Sequence, residues 1–186
     1  LALCARGYIE KGKCIFLDSG STAMQLASVM EDEVVNVVTS GPNISLRLIE
    51  KKKPIVTLLG GILNRDSLSV TGDLSIASLD SFSIDTAFIV PSGYSSGDGF
   101  TCGHYSECEL KRAVAASAKR VVLIMDSSKN EKRYPYTFCD LSDIDVFITD
   151  SDSPAARKAQ KQGVTVVITG NTVLREHVTK CIPVEI

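Results

Sequence analysis

The chain has no excess of basic residues: 20 lysines and arginines against 22 aspartates and glutamates give a formal charge of −2 over 186 residues. Phosphate backbones and anionic membrane surfaces are bound mainly through a surplus of Lys and Arg, so this stretch carries no electrostatic footprint for either. Paired cysteines are lacking too. Cys4, Cys14, Cys102, Cys108, Cys139 and Cys181 are scattered, several inside apolar runs, with no CxxC and no dense secreted-type framework, so reduced cytosolic thiols are expected. No apolar run approaches the roughly 18 residues of a membrane-spanning helix, and the first residues hold no signal-peptide core with a basic flank. Repeats, low-complexity tracts and linkers rich in Pro, Gly and Ser are absent, which leaves no domain boundary and argues for one domain over residues 1–186. The first residue is Leu1 rather than methionine, so the chain is expected to be part of a longer protein.

What is present is a regular alternation. Strand-sized runs rich in β-branched residues occur at Cys14–Leu17, Val34–Val38, Ile55–Leu59, Ala87–Val90, Val121–Met125, Val146–Thr149 and Thr165–Ile168. Helical patterns lie between them at Thr22–Met30, Asn43–Lys51, Leu74–Phe82, Glu107–Ala118 and Pro154–Gln162. This order predicts an α/β fold with an open, mainly parallel sheet and helices on both faces. A short helix near Val173–His177 and a last edge strand near Pro183–Ile186 complete the expectation.

In such sheets ligands sit at the carboxyl ends of the strands. Those positions are the polar ones here: Asp18-Ser19-Gly20-Ser21-Thr22 after the first strand, Thr39-Ser40-Gly41-Pro42-Asn43 after the second, Gly60-Gly61 after the third, Pro91-Ser92-Gly93-Tyr94 after the fourth, and Asp126-Ser127-Ser128-Lys129 after the fifth. The first turn is the most informative, because its Gly permits a tight turn and its hydroxyls lead into a helix whose N-terminus favours an anion. An ordinary helix cap explains the Ser/Thr cluster equally well in isolation. Five consecutive strand ends of small hydroxyl or glycine residues favour a phosphate-lined rim. Lys129 sits where a lysine can give an anion a point charge, although a solvated surface lysine is the plain alternative. Glu107 and Lys111, at i and i+4, form either a helix salt bridge or part of the ligand contact. The Gly- and Ser-rich segment 92–104 is long for a βα connection and reads as a mobile lid.

The ordered motifs DSGST, VVTSGPN, LLGG, DTAFIVPSGYSSGDGFT and ECELKRAVAASAKRVVLIMDSSK resemble, from about Cys4 to Val167, the C-terminal sensor domain of DeoR-family transcriptional regulators. That resemblance implies a ribose-5-phosphate isomerase-like fold, a phosphorylated sugar or related metabolite as effector, no cofactor, a homo-oligomeric cytoplasmic repressor, and operator DNA met only through a winged helix-turn-helix domain absent from this chain. It implies that Asp18, Gly20, Ser21 and Thr22 form the phosphate or sugar loop, Thr39 and Ser40 a second wall, Gly60 and Gly61 a close backbone approach, and Lys129 the fixed positive charge. Val90-Pro91 departs from the small residues expected after the AFI strand; it stiffens that turn and removes one amide donor.

Two other readings use the same residues. A sugar-phosphate isomerase or deaminase needs a base and helper acids, and the corresponding stretch 81–86 offers Asp85 alone, with Glu107 and Glu109 further along. A metal or thiol site from Cys102, His104 and Cys108 has at most three ligands, and its spacing does not match the paired spacings of structural zinc. Lys51-Lys52-Lys53 before Pro54 reads as a solvated helix C-terminus. The expected function is therefore effector sensing without catalysis.

Overall fold

The computed structural model describes residues 1–169; the helix expected at 173–177 and the strand expected at 183–186 lie outside them. In chain order the elements are α1 (Ala2–Arg6), β1 (Cys14–Leu17), α2 (Ser21–Val29), β2 (Asn36–Thr39), α3 (Pro42–Leu48), β3 (Ile55–Leu58), β4 (Ile62–Asn64), β5 (Ser69–Thr71) and α4 (Asp73–Ser78). They continue with β6 (Thr86–Ile89), β7 (Gly93–Ser95), β8 (Gly99–Cys102), α5 (Tyr105–Ser117), β9 (Val121–Ile124), β10 (Tyr136–Cys139), β11 (Val146–Thr149), α6 (Pro154–Lys161) and β12 (Thr165–Ile168).

Seven strands form one parallel sheet in the order β12-β11-β9-β6-β1-β2-β3. The near-continuous apolar runs are explained by burial on both faces. Along β1, Ile15 and Leu17 face one core with α1, α2 and α3, while Phe16 faces the other with α5 and α6. Strands β6, β9 and β11 alternate in the same way, with Phe88, Val122 and Ile148 on one side and Ile89, Leu123 and Phe147 on the other. Right-handed crossovers account for the two layers: the chain winds one way from β1 to β3 and the other way from β6 to β12, so the connecting helices fall on opposite faces. The winding reverses between β1 and β6, which is where such sheets open a crevice at their strand ends.

Two antiparallel pieces were not legible beforehand. β4 and β5 form a hairpin beyond β3, and β10, β8 and β7 form a three-stranded sheet. The second piece corrects the lid expectation for 92–104. Tyr94 and Phe100 are fully buried, and Phe100 packs against the rings of Tyr94, Phe138 and Phe147 at centroid distances of 4.8, 6.4 and 5.8 Å. Glycine and serine here serve a tight hairpin whose aromatics cap the core; they do not mark a mobile segment.

Cys14, Cys102, Cys108 and Cys139 are free thiols, in keeping with the reduced cysteines expected at these four positions. Cys102 lies wholly within the core, and burial pushes its thiol up to about 12. A thiol held protonated in this way is a poor nucleophile and a poor metal ligand.

Phe100→Ala should cost about 3–5 kcal/mol in a denaturant titration, the range for truncating a buried phenylalanine. A cost near zero would restore the mobile-lid reading.

Candidate functional site

Asp18 follows β1 and is almost fully buried. Its Oδ1 accepts the Ser19 amide at 2.8 Å, and its Oδ2 accepts the Val90 amide at 2.8 Å and the Lys111 ammonium at 2.5 Å. Lys111 reaches this point from the second turn of α5 and also donates to the Val90 carbonyl at 2.5 Å. The ends of β1 and β6 are thus tied together at the reversal of winding. Lys111 is buried. Burial works to lower its pKa, but the charge and hydrogen bond of Asp18, with Glu107 adding to them, raise it above the ordinary 10.5. The i,i+4 pair expected between Glu107 and Lys111 is therefore replaced by a long-range one. Glu107, buried in the first turn of α5, instead accepts the Ser69 hydroxyl of β5 at 2.9 Å. Thr71 beside it donates to the Ser106 hydroxyl at 3.1 Å.

Lys129 stands at the same corner. Its ammonium donates to the Pro91 carbonyl at 2.9 Å, and partial burial lowers its pKa, with Asp126 opposing and Lys111 reinforcing the shift. Its direct partner is a neutral carbonyl. Pro91 thus loses an amide donor but supplies an acceptor, and the Val90-Pro91 turn anchors two lysines through successive carbonyls.

The helix expected to be capped by Ser or Thr is not. Gly20 occupies the N-cap of α2 at φ +102°, a conformation that side-chain-bearing residues rarely adopt, and no side chain caps the helix. Asp18 cannot do so, because both its oxygens are turned back to Ser19, Val90 and Lys111. The first-turn amides of α2, with Ser21 exposed and Thr22 buried beside them, have no side-chain cap among the described residues.

On the neighbouring strand, Leu17 of β1 is in register with Thr39 of β2. The Thr39 hydroxyl is committed to the turn, accepting the Gly41 amide at 3.0 Å. Ser40 Oγ and Asn43 Oδ1 are buried and have no hydrogen-bond partner among the described residues, a state that costs about 1–3 kcal/mol unless something satisfies it. Asn43 stands in the VVTSGPN motif but is not among the site residues the sequence suggests; it is half-buried, and only its place in the first turn of α3 shows its Oδ1 to be enclosed. Gly60 and Gly61 do make a close approach, though within the protein: Gly61 lies at φ +147°, and a Cβ there would come within 2.5 Å of Ser75 Oγ and the Thr71 carbonyl. The Ser75 hydroxyl also donates to the Gly60 carbonyl at 2.6 Å. These glycines seat the β4–β5 hairpin.

Asp85, the lone acid of the isomerase-type reading, lies at the opposite end of the sheet. It accepts the Cys14 amide at the start of β1 at 3.0 Å and pairs with Lys119 at 2.8 Å, and these bonds hold its carboxyl below the usual range. Glu109 is taken by Arg112 at 2.7 Å.

The family model of the DeoR C-terminal sensor domain matches residues 1–151. The chain belongs to this family. An HTH-type transcriptional regulator, GlpR, of Haloferax volcanii is 30% identical over 162 residues, covering 86% of this chain and 63% of the relative. A putative aga operon transcriptional repressor of Escherichia coli O157:H7 is 30% identical over 173 residues, covering 91% and 64%. The sensor domain thus spans less than two thirds of these relatives. Among solved structures, ribose 5-phosphate isomerase A of Methanocaldococcus jannaschii aligns with a TM-score of 0.51 at 18% identity, covering 71% of this chain and 52% of that one; this likeness concerns the fold. The turns Asp18–Thr22 and Thr39–Asn43 follow the neighbouring strands β1 and β2, whereas Asp126–Lys129 follows β9, which β6 separates from β1.

Lys111→Met leaves the Asp18 carboxylate buried without its counter-charge and should destabilise by about 3–5 kcal/mol at neutral pH; adding Asp18→Asn should recover part of the loss in the same denaturant series. The wild-type pair contributes fully below about pH 10.4, the unfolded lysine value, and its contribution fades as pH rises through the higher folded pKa of Lys111. An equal stability gap between wild type and the double variant at pH 8 and well above pH 11 would contradict this.

Proposed function

We propose that residues 1–186 form a cytoplasmic sensor unit that binds a phosphorylated sugar or related metabolite at the β1–β6 crevice. Binding is reported to a winged helix-turn-helix domain upstream in the parent protein, which holds operator DNA as part of a homo-oligomer. The carrying observation is the uncapped N-terminus of α2 beside Lys129: aligned amides and an ammonium bonded to a neutral carbonyl together favour a dianionic group. Ser40 Oγ and Asn43 Oδ1, buried without partners among the described residues, suit the hydroxyls of a sugar. Gly20, Ser21, Thr22, Ser40 and Lys129 are the proposed contacts. Asp18 and Lys111 position that loop, Ser19 and Thr39 shape its turns, and Glu107, Gly60 and Gly61 hold the hairpin at its margin. No cofactor is part of this reading, and the response works by shifting a conformational population rather than by turnover.

An isomerase or deaminase role on this scaffold requires a carboxylate free to take a carbon-bound proton. Asp85 is at the far end of the strands, Glu109 is paired, and Glu107 is held by Ser69. These placements favour sensing.

In a thermal-shift screen, a phosphorylated sugar at 100 times its dissociation constant should add about 2.7 kcal/mol of apparent stability, and the unphosphorylated sugar far less; equal stabilisation by both would sink the phosphate reading. Calorimetry with the ligand so found should show Lys129→Ala and Thr22→Val each losing about 1.5–3 kcal/mol of binding with the fold intact, and unchanged affinity in both would place the site elsewhere. NMR in deuterated water should show no exchange of carbon-bound hydrogen in that ligand above background. Exchange abolished by Glu107→Gln or Glu109→Gln would make this an enzyme.

A further inference from the structure

Among the described residues β3 ends the seven-stranded sheet and pairs with β2 alone, so its outer side presents backbone donors and acceptors that no described strand takes up. Sheet edges are usually blunted by charge, proline or a bulge. Here no charged residue or proline occurs from Ile55 to Asn64. The side chains flanking the edge are apolar and exposed: Ile55 and Leu58 on β3, Ile62 on β4, and Leu46 and Ile49 around the end of α3. Leu74 of α4 packs over Gly60, extending the patch around the end of the strand. Eight of the thirteen exposed large hydrophobic residues in the described part of the chain fall between positions 46 and 74, the segment that forms β3 and the elements on either side of it in the chain.

We propose that this edge is a subunit interface in which β3 pairs antiparallel with β3 of a second copy across a two-fold axis, continuing the sheet through both subunits. The proposal rests on the self-association included in the functional reading and adds where it occurs. A free strand edge is satisfied by another strand, and the same segment in a second copy provides one whose apolar flanks match by symmetry. Charge selects the direction. Lys51, Lys52 and Lys53 lie immediately before β3, and side-by-side parallel strands would stack the two lysine runs. Antiparallel pairing sends them to opposite ends, about 20 Å apart at roughly 3.3 Å per residue, well past the screening length of about 8 Å at physiological salt. The uncharged middle offers nothing to an acidic partner.

Sedimentation velocity on the 186-residue chain tests this, with circular dichroism to verify the fold. Ile55→Lys and Ile62→Lys replace exposed side chains, so both variants should fold; Leu3→Lys, exposed on α1, is the control. The wild type and Leu3→Lys should sediment as dimers, and the two edge variants as monomers with self-association weakened at least tenfold. Dimers that persist in both edge variants would leave self-association standing but place it elsewhere. Dissociation of Leu3→Lys as well would remove the assignment to the edge. A wild type that stays monomeric at high concentration would overturn both the interface and the self-association, while effector binding is read separately by the thermal screen.

Discussion

The buried contact of Lys111 with Asp18 and the Val90 carbonyl is the constraint around which the strand-end face is organised. It joins the two strands between which the winding of the sheet reverses, at the point where a doubly wound sheet would otherwise gape. Because the carboxylate is consumed there, Asp18 cannot cap α2, and the helix begins on a glycine with its amides open. The same lysine fixes the Val90 carbonyl, and the next carbonyl, Pro91, receives Lys129. One ion pair therefore determines which groups at this corner remain available to an anion.

The cost of that arrangement explains its surroundings. A lysine and an aspartate taken out of water are stable only if their remaining hydrogen-bonding capacity is met, and here two backbone amides and a carbonyl do so. The ring of Phe138 lies 5.5 Å from the Lys111 ammonium, adding a favourable face on the side without a carboxylate. The antiparallel β7–β8–β10 sheet, which carries Phe138, is thus part of the support of the crevice as well as of the core.

The parallel sheet was legible in the sequence because its strands are buried on both faces and so read as unbroken apolar runs; β1, β11 and β12 begin and end where those runs do. The hairpins were not, because β4, β5 and β7 are three residues long and their glycines resemble loop composition. At the site, strand-end position was legible and partnership was not. Glu107 and Lys111 stand one helical turn apart, which in sequence suggests a local pair, while their partners Ser69 and Asp18 lie 38 and 93 residues away. Burial decided against the local pair, since both side chains point into the protein and each meets a different neighbour.

That same spacing has a mechanical meaning. Four residues of α-helix span about 6 Å, so α5 grips the β4–β5 hairpin through Glu107 and the ends of β1 and β6 through Lys111 with almost no length between the two grips. A rigid rod held at two such points transmits a tilt from one to the other undiminished. The crevice and the apolar margin that begins at the hairpin are in this sense two ends of a single short lever.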